Sequence, residues 1–320
     1  MAVRFKQNED FLRFITMGAA GSAAVLEWLA SKGHRMIELE RYAMANKIWE
    51  TKLKRMRVPD LICLDCGLRV EARAKSKLEV TMSHSTVEGR AWDAGLRDED
   101  MAVFTLWDAE NQATVGAPEC FTVGSLRVAE AADPKATKLS DPKAASEGSE
   151  VRMTWKATVP KDDGVVVDVS PDEHKIKVKW DSMTKADGSK RANAFQTFSL
   201  PAALPAFAYV AEGDHFSGGD QFLLGVAEKV SNPNCSGGGK RAWDYESDLD
   251  SSDVITRYVA VKAAGIWEGQ GRGQAARRDC RARSGQRRRG REDQARGVGQ
   301  PGADRPGALD GQGDRHSQER

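Results

Sequence analysis

The sequence predicts an α/β protein with a second, β-rich region, and three observations predict it. Residues 18–32 carry Val25, Leu26, Leu29 and Ala30 at helical spacing, with Gly33 placed to cap the helix. "RVPDLICLDCGLRVEARAKS", residues 57–76, holds two apolar runs around a tight Asp-Cys-Gly, the pattern of a hairpin. Farther on, "DGVVVDVSPDEHKIKVKWD" has two alternating runs around a Ser-Pro-Asp turn, the pattern of another.

The chain has 320 residues, enough for about two domains. Its formal net charge is +1, so bulk charge selects no partner and local charge has to be read instead. Five cysteines, an odd number without regular spacing, do not suggest a disulfide framework. Free thiols point to a reducing, cytoplasmic setting. The apolar stretch "FITMGAAGSAAVLEWLA" is interrupted by Glu27 and followed by Lys32. It is therefore expected to be a helix of a cytoplasmic protein with no membrane partner, not a signal peptide.

After the first helix, Ile37 and Leu39 alternate with Glu38 and Glu40. Residues 35–41 are predicted as a strand because Gly33-His34 breaks the helix, although Ile37, Met44 and Ile48 also fit one helix face. The hairpin follows as 57–64 and 68–75, then strands at Met101 to Trp107 and Cys120 to Val123. Together these make a domain over 1–130. Residues 131–152 are polar, lack apolar periodicity and are expected to be a linker. Residues 153–235, rich in short apolar runs and Gly turns, predict a β-rich accessory domain, a small barrel or sandwich. Within 245–268, "SDVITRYVAVKAAGIWE" reads as an amphipathic helix and resembles the opening helix of a HEAT-type repeat. One such helix cannot bury its apolar face alone, so further repeats are expected. Either this repeat or the β-rich domain could seat a protein partner. Residues 269–320 contain no Lys and no aromatic residue, and Val298 and Leu309 are their only large aliphatics. Such a segment cannot offset its ordering entropy and is expected to be disordered. It is either an Arg/Gly-rich tail, whose "RARSGQRRRGR" could bind nucleic acid, or a shifted-frame translation of a GC-rich gene.

The chemistry lies in the first hairpin. If Asp65 and Cys66 form a two-residue loop, Leu64 faces Gly67 and Asp60 faces Glu71. Residues directly opposite on an antiparallel pair share a face, with Cβ atoms about 5 Å apart. The strand period of two adds Arg73 and Lys75 to that face. A one-residue slip would instead set Asp60 against Arg73 as an ion pair. Two facing carboxylates repel, and a hard divalent cation resolves the conflict. Such a cation activates water and stabilises charge on a phosphate. An adjacent Arg or Lys can orient the water or stabilise the phosphate.

These residues reach a resemblance. Pro59-Asp60, then Glu71, then basic residues, preceded by a helix, Gly33 and a strand, resemble the PD-(D/E)XK nuclease superfamily. The stretch is similar to the core of archaeal Holliday-junction resolvases and restriction-type endonucleases over about residues 18–76. The resemblance implies a restriction-endonuclease-like mixed sheet with flanking helices, dependence on Mg²⁺ (or Mn²⁺), DNA as partner and backbone cleavage. By the same match Asp60 and Glu71 are the metal ligands. The family usually has Lys two residues after the acid, where this chain has Arg73, with Lys75 two residues farther on. That departure keeps a catalytically silent nucleic-acid-binding or partner-recruiting protein as the alternative. The family's helix-borne acid has Glu27 as its candidate here, and Glu40 as a second.

Other features carry weaker chemistry. Cys63-Leu64-Asp65-Cys66 is half of a zinc knuckle, or a tight turn with small buried thiols. There is no second Cys-x-x-Cys, so His84, Cys120 or Cys235 would have to complete a zinc site. Arg90, Trp92 and Arg97 could touch nucleic acid, and Asp98 or Asp100 could add a metal ligand, or all could form a solvated turn. His84 is a candidate base or a polar loop residue. Lys175, Lys177 and Lys179 form a basic strand face, suited to a phosphate backbone or to protecting a sheet edge. "SGGGK" lacks the full phosphate-loop pattern.

Overall fold

The computed structural model describes residues 8–39, 57–86, 89–140, 150–170, 172, 174–238 and 242–266. The described residues up to Gly265 form one compact unit. The expected tail and Glu40 lie outside the described residues. The architecture is mixed α/β, with several sheets and few helices.

The first sheet carries the hairpin. Its strands are β1 (Met36–Glu38), β2 (Leu61–Cys63), β3 (Arg69–Lys75), β5 (Met101–Asp108) and β6 (Ala113–Thr122), in the order β1-β2-β3-β5-β6. Strands β1, β2 and β3 pair antiparallel, β3 and β5 pair parallel, and β6 returns antiparallel. The sheet is thus mixed. Helix α1 (Asn8–Ser31) begins ten residues before the predicted start and packs on β3, β5 and β6. Val25 and Leu29 of α1 share a buried cluster with Leu61, Val70, Ala72 and Val103. Alternation then sends Glu71, Arg73 and Lys75 to the opposite face. The helix approaches the sheet most closely at Gly21. A Cβ there would lie 2.6 Å from Ala74 Cβ and 3.0 Å from Thr105 Oγ1. Gly21→Val is therefore expected to destabilise the fold by about 1–3 kcal/mol through overpacking. Gly18→Ala, where nothing lies within 4 Å, should be neutral or stabilising. Urea midpoints of the two variants test this.

Leu12–Ser31 is long and apolar enough to cross a membrane by length and composition. Its Val25 and Leu29 are nevertheless fully buried against the sheet.

The other face of β5 meets a second layer. Ala102, Phe104 and Phe121 pack with Trp92, Met82, Leu126 and Trp155. This layer comprises β4 (Val80–Ser85), α2 (Val123–Ala132), β7 (Ala136–Ser140) and β8 (Glu150–Trp155), with strand order β4-β8-β7. The segment expected as a linker therefore contributes a strand, and β8 joins β4 of the N-terminal region. Polar residues concealed these strands because β7 pairs only at an edge, where exposed positions need no apolar side chains.

The β-rich region forms a four-stranded sheet and a three-stranded sheet. The first has the order β12-β11-β10-β14, from Phe195–Ser199, Lys175–Trp180, Gly164–Ser170 and His215–Phe216. The second has the order β13-β15-β9, from Phe207–Ala208, Leu224–Gly225 and Ala157–Thr158. Val166, Ile176, Val178 and Trp180 of the first pack with Leu223 and Leu224. Among the described residues neither sheet closes into a barrel. Lys175, Lys177 and Lys179 are exposed and Ile176, Val178 and Trp180 buried, as the alternation predicts.

The helix expected near the C-terminus is present at residues 254–266. Its apolar face does not wait for further repeats. Ile255, Val259, Ala260 and Ala263 are buried, Ile255 lies against Gly95, and Thr256 Oγ1 accepts from Arg69.

Candidate functional site

The hairpin adopts the first of the two registers. Leu61 pairs with Val70 and Ile62 with Arg69, and Cys63 N–H donates to the Leu68 carbonyl at 2.8 Å. One step beyond the ladder, Asp60 stands opposite Glu71. Its Oδ2 accepts from Ala72 N–H at 2.9 Å, in place of a further strand bond.

Arg73 joins the two acids. Its Nη1 donates to Asp60 Oδ2 at 3.1 Å and its Nη2 to Glu71 Oε1. Arg57, from the segment before β2, donates to the same Glu71 oxygen at 2.6 Å and to the Ser83 carbonyl of β4 at 2.6 Å. Arg57 was not singled out from the sequence, since a strand over 57–64 would set it on the face opposite Asp60; the strand begins only at Leu61, which leaves Arg57 able to turn toward Glu71. Burial pulls both guanidiniums down from their ordinary pKa, and the Asp60 charge opposes that shift. Arginine remains cationic regardless. The Glu71 side chain is 2% exposed, whereas that of Asp60 is 31% exposed, so the site opens to solvent at Asp60. The other oxygen of each carboxylate, Asp60 Oδ1 and Glu71 Oε2, accepts no hydrogen bond among the described residues.

Lys75 bonds Thr81 Oγ1 at 2.6 Å. Burial lowers its ammonium to about 8, with Glu79 opposing that shift and Arg73 and Arg152 adding to it. It is thus mostly charged at neutral pH.

The remaining candidates separate clearly. Trp92 is 1% exposed, packs edge-on against Trp155 and donates to Glu130, so it has no face for a base. Asp100 is fully buried in bonds to Arg69 N–H and Arg97, which leaves it no role as a metal ligand at Asp60. Asp98 pairs with Arg127 at the surface. Arg90 lies beside Glu150. The ring of His84 accepts from Trp92 N–H at 3.4 Å. Among the described residues Glu27 does not join the pair of acids; it lies on α1, across the sheet from Glu71.

A second cluster lies at the other end of the hairpin. The ligand atoms of His34, Cys63, Cys66 and Cys235 are all within 4.8 Å of one another. Cys235 is one of the three partners expected for the half-knuckle, and His84 and Cys120 are elsewhere. His34 was missed, because only the pairing of β1 with β2 brings it to the turn. The pairing of Met36 with Cys63 carries His34 to the level of Asp65, inside the turn. Gly67 makes that turn possible, at φ +73° with its N–H donating to the Cys63 carbonyl.

No family model, no curated protein and no solved structure matches the chain.

Proposed function

We propose that the Asp60/Glu71 site belongs to a metal-dependent nuclease of the PD-(D/E)XK type, on a restriction-endonuclease-like core. The observation that carries this reading is the position of Asp60 directly opposite Glu71 in a mixed sheet, with Arg73 bonded to both. The order supports it too: a helix, three antiparallel strands, then a strand parallel to the third.

The donor set suits a hard cation. Asp60 Oδ1 and Glu71 Oε2 are carboxylate oxygens, which Mg²⁺ or Mn²⁺ prefers. When bound, such an ion lowers the pKa of coordinated water and stabilises phosphate charge. The chain supplies the rest. Arg73 holds the two acids at a common level, Arg57 fixes the inner one, and Lys75 brings a positive charge to the same face. These cations would attract a DNA phosphate and stabilise its developing charge.

Branched, duplex and single-stranded DNA incubated with Mg²⁺ or Mn²⁺ provide the test. Asp60→Asn and Glu71→Gln keep the shape of the site and are each expected to lower cleavage by about 10²-fold or more. Cleavage at the parent rate in both variants would remove the site from the reaction.

One observation favours a second reading. Arg57 and Arg73 already neutralise the two acids without a metal. A silent domain of this kind would bind DNA in a salt-sensitive manner, aided by the Lys175, Lys177 and Lys179 face, and would not cleave it whatever metal is supplied.

A further inference from the structure

We propose that His34, Cys63, Cys66 and Cys235 form a tetrahedral structural zinc site that clamps the β2–β3 turn to the end of α1 and to the loop around residue 235. The proposal is independent of the nuclease reading, because it concerns a different cation and a different end of the hairpin.

The geometry comes first. A tetrahedral site with Zn–S near 2.3 Å and Zn–N near 2.0–2.1 Å places its ligand atoms about 3.3–3.8 Å apart. Cys63 Sγ lies 3.9 Å from Cys235 Sγ, and Cys66 Sγ lies 3.6 Å from His34 Nδ1. All four atoms fall within 4.8 Å of one another. A disulfide would draw two sulfurs together, but here three sulfurs and an imidazole nitrogen converge.

The surroundings prepare each ligand. His34 Nε2 lies 2.9 Å from the Pro233 carbonyl, which requires the proton on Nε2. That leaves the Nδ1 lone pair directed toward the sulfurs. Metal-bound histidines characteristically donate their second ring N–H to such an acceptor. Cys63, Cys66 and Cys235 are free cysteines, so each sulfur is available to ligate metal as a thiolate.

The donor set selects the ion. Three thiolates and one imidazole suit a soft or borderline cation, not Mg²⁺ or Mn²⁺. Four protein ligands close the shell, as in structural zinc sites; catalytic ones keep a position for water. The consequence is architectural. His34 follows α1, Cys63 and Cys66 flank the turn, and Cys235 comes from 172 residues after Cys63. Cys235 N–H already donates to the Lys32 carbonyl at 3.1 Å, so the loop is seated on the end of α1. A zinc ion there would fasten a hairpin whose register sets Asp60 against Glu71.

The full chain, purified under reducing conditions without chelator, should carry about one zinc per chain by elemental mass spectrometry. Replacing that zinc with Co²⁺ should give thiolate-to-cobalt charge-transfer absorption and the d–d bands of a tetrahedral ion. Cys235→Ser and Cys63→Ser should lose the bound zinc, while Cys280→Ser should retain it. If these variants fail to fold, the cobalt spectrum of the parent chain decides. A folded, fully reduced parent chain with neither zinc nor cobalt bands overturns the proposal. So does zinc retained undiminished in both cysteine variants, or a Cys63–Cys235 disulfide in freshly isolated protein.

Discussion

Replacing Arg73 by alanine is expected to destabilise the fold and to make its stability respond to Mg²⁺. Arg73 is the one side chain bonded to both Asp60 and Glu71 among the described residues. Its removal leaves Glu71, 2% exposed, with Arg57 as its remaining cation, and leaves Asp60 with the Ala72 N–H. Removing one partner of a buried ion pair typically costs about 3–5 kcal/mol, because the other charge stays buried and undercompensated. Arg73 and Asp60 are each about 30% exposed, so the lower end, about 3 kcal/mol, is expected. The cation response follows from linkage. A ligand that binds only the folded chain stabilises it by about 2.7 kcal/mol at one hundred times its dissociation constant. If the two acids form a hard-cation site, removing the competing guanidinium should strengthen Mg²⁺ binding. Millimolar Mg²⁺ should then raise the melting temperature of Arg73→Ala more than that of the parent chain. Adding Asp60→Asn to Arg73→Ala should cancel the extra gain. Thermal melts of the three proteins with and without Mg²⁺ provide the check. No cation response in Arg73→Ala would favour the silent reading, in which arginines have permanently replaced the metal.

The sequence made local geometry readable and left remote partners hidden. The hairpin register was accessible because a turn centred on Asp65 and Cys66 fixes the parity of every later pair, although the loop that forms is the four-residue Leu64 to Gly67, closed by Cys63 and Leu68. The alternation of Lys175 to Trp180 was accessible for the same reason, since period two sorts one strand into two faces. Pairings between distant segments have no such rule. The parallel bond between β3 and β5 spans an intervening strand and loop, and β8 finds β4 across more than sixty residues. Trp92 fits neither of its two readings, a nucleic-acid contact or a solvated turn, because an aromatic between Arg90 and Arg97 looks the same at a surface or in a core. Only its contact with Trp155 distinguishes the two. The metal-ligand cluster was half visible. Cys-x-x-Cys is a local motif, whereas His34 and Cys235 reach it through tertiary structure. The helix at 254–266 was recognised by its period, but period alone says that a face is buried, not against what.

That last contact sets up the other large effect, expected at Asp100. Asp98 and Asp100 are two residues apart and chemically alike, yet their replacement should differ greatly. Asp100 is fully buried. Its Oδ1 accepts from Arg69 N–H at 2.9 Å and Arg97 Nη2 at 2.8 Å, and its Oδ2 accepts from Arg97 N–H at 2.7 Å. The Arg97 guanidinium also reaches the Gly67 carbonyl at 2.8 Å, and that of Arg69 reaches Gly95 and Thr256. One carboxylate thus ties the start of β3, the turn before β5 and the helix at 254–266 into one network. Asp100→Ala strips two backbone N–H groups of their acceptor and takes from the Arg97 guanidinium its buried carboxylate, leaving it Glu99 at 3.2 Å. A loss of about 3–5 kcal/mol is expected. Asp98 is 74% exposed and pairs with Arg127, itself 35% exposed. Exposed pairs contribute about 0–1 kcal/mol, so Asp98→Ala should stay within that range. Urea unfolding of the two variants, with the slope compared as well as the midpoint, tests the contrast. Equal and small losses would mean that the Asp100 network is dispensable, and that packing of Ile255, Val259 and Ala263 alone holds the C-terminal helix in place.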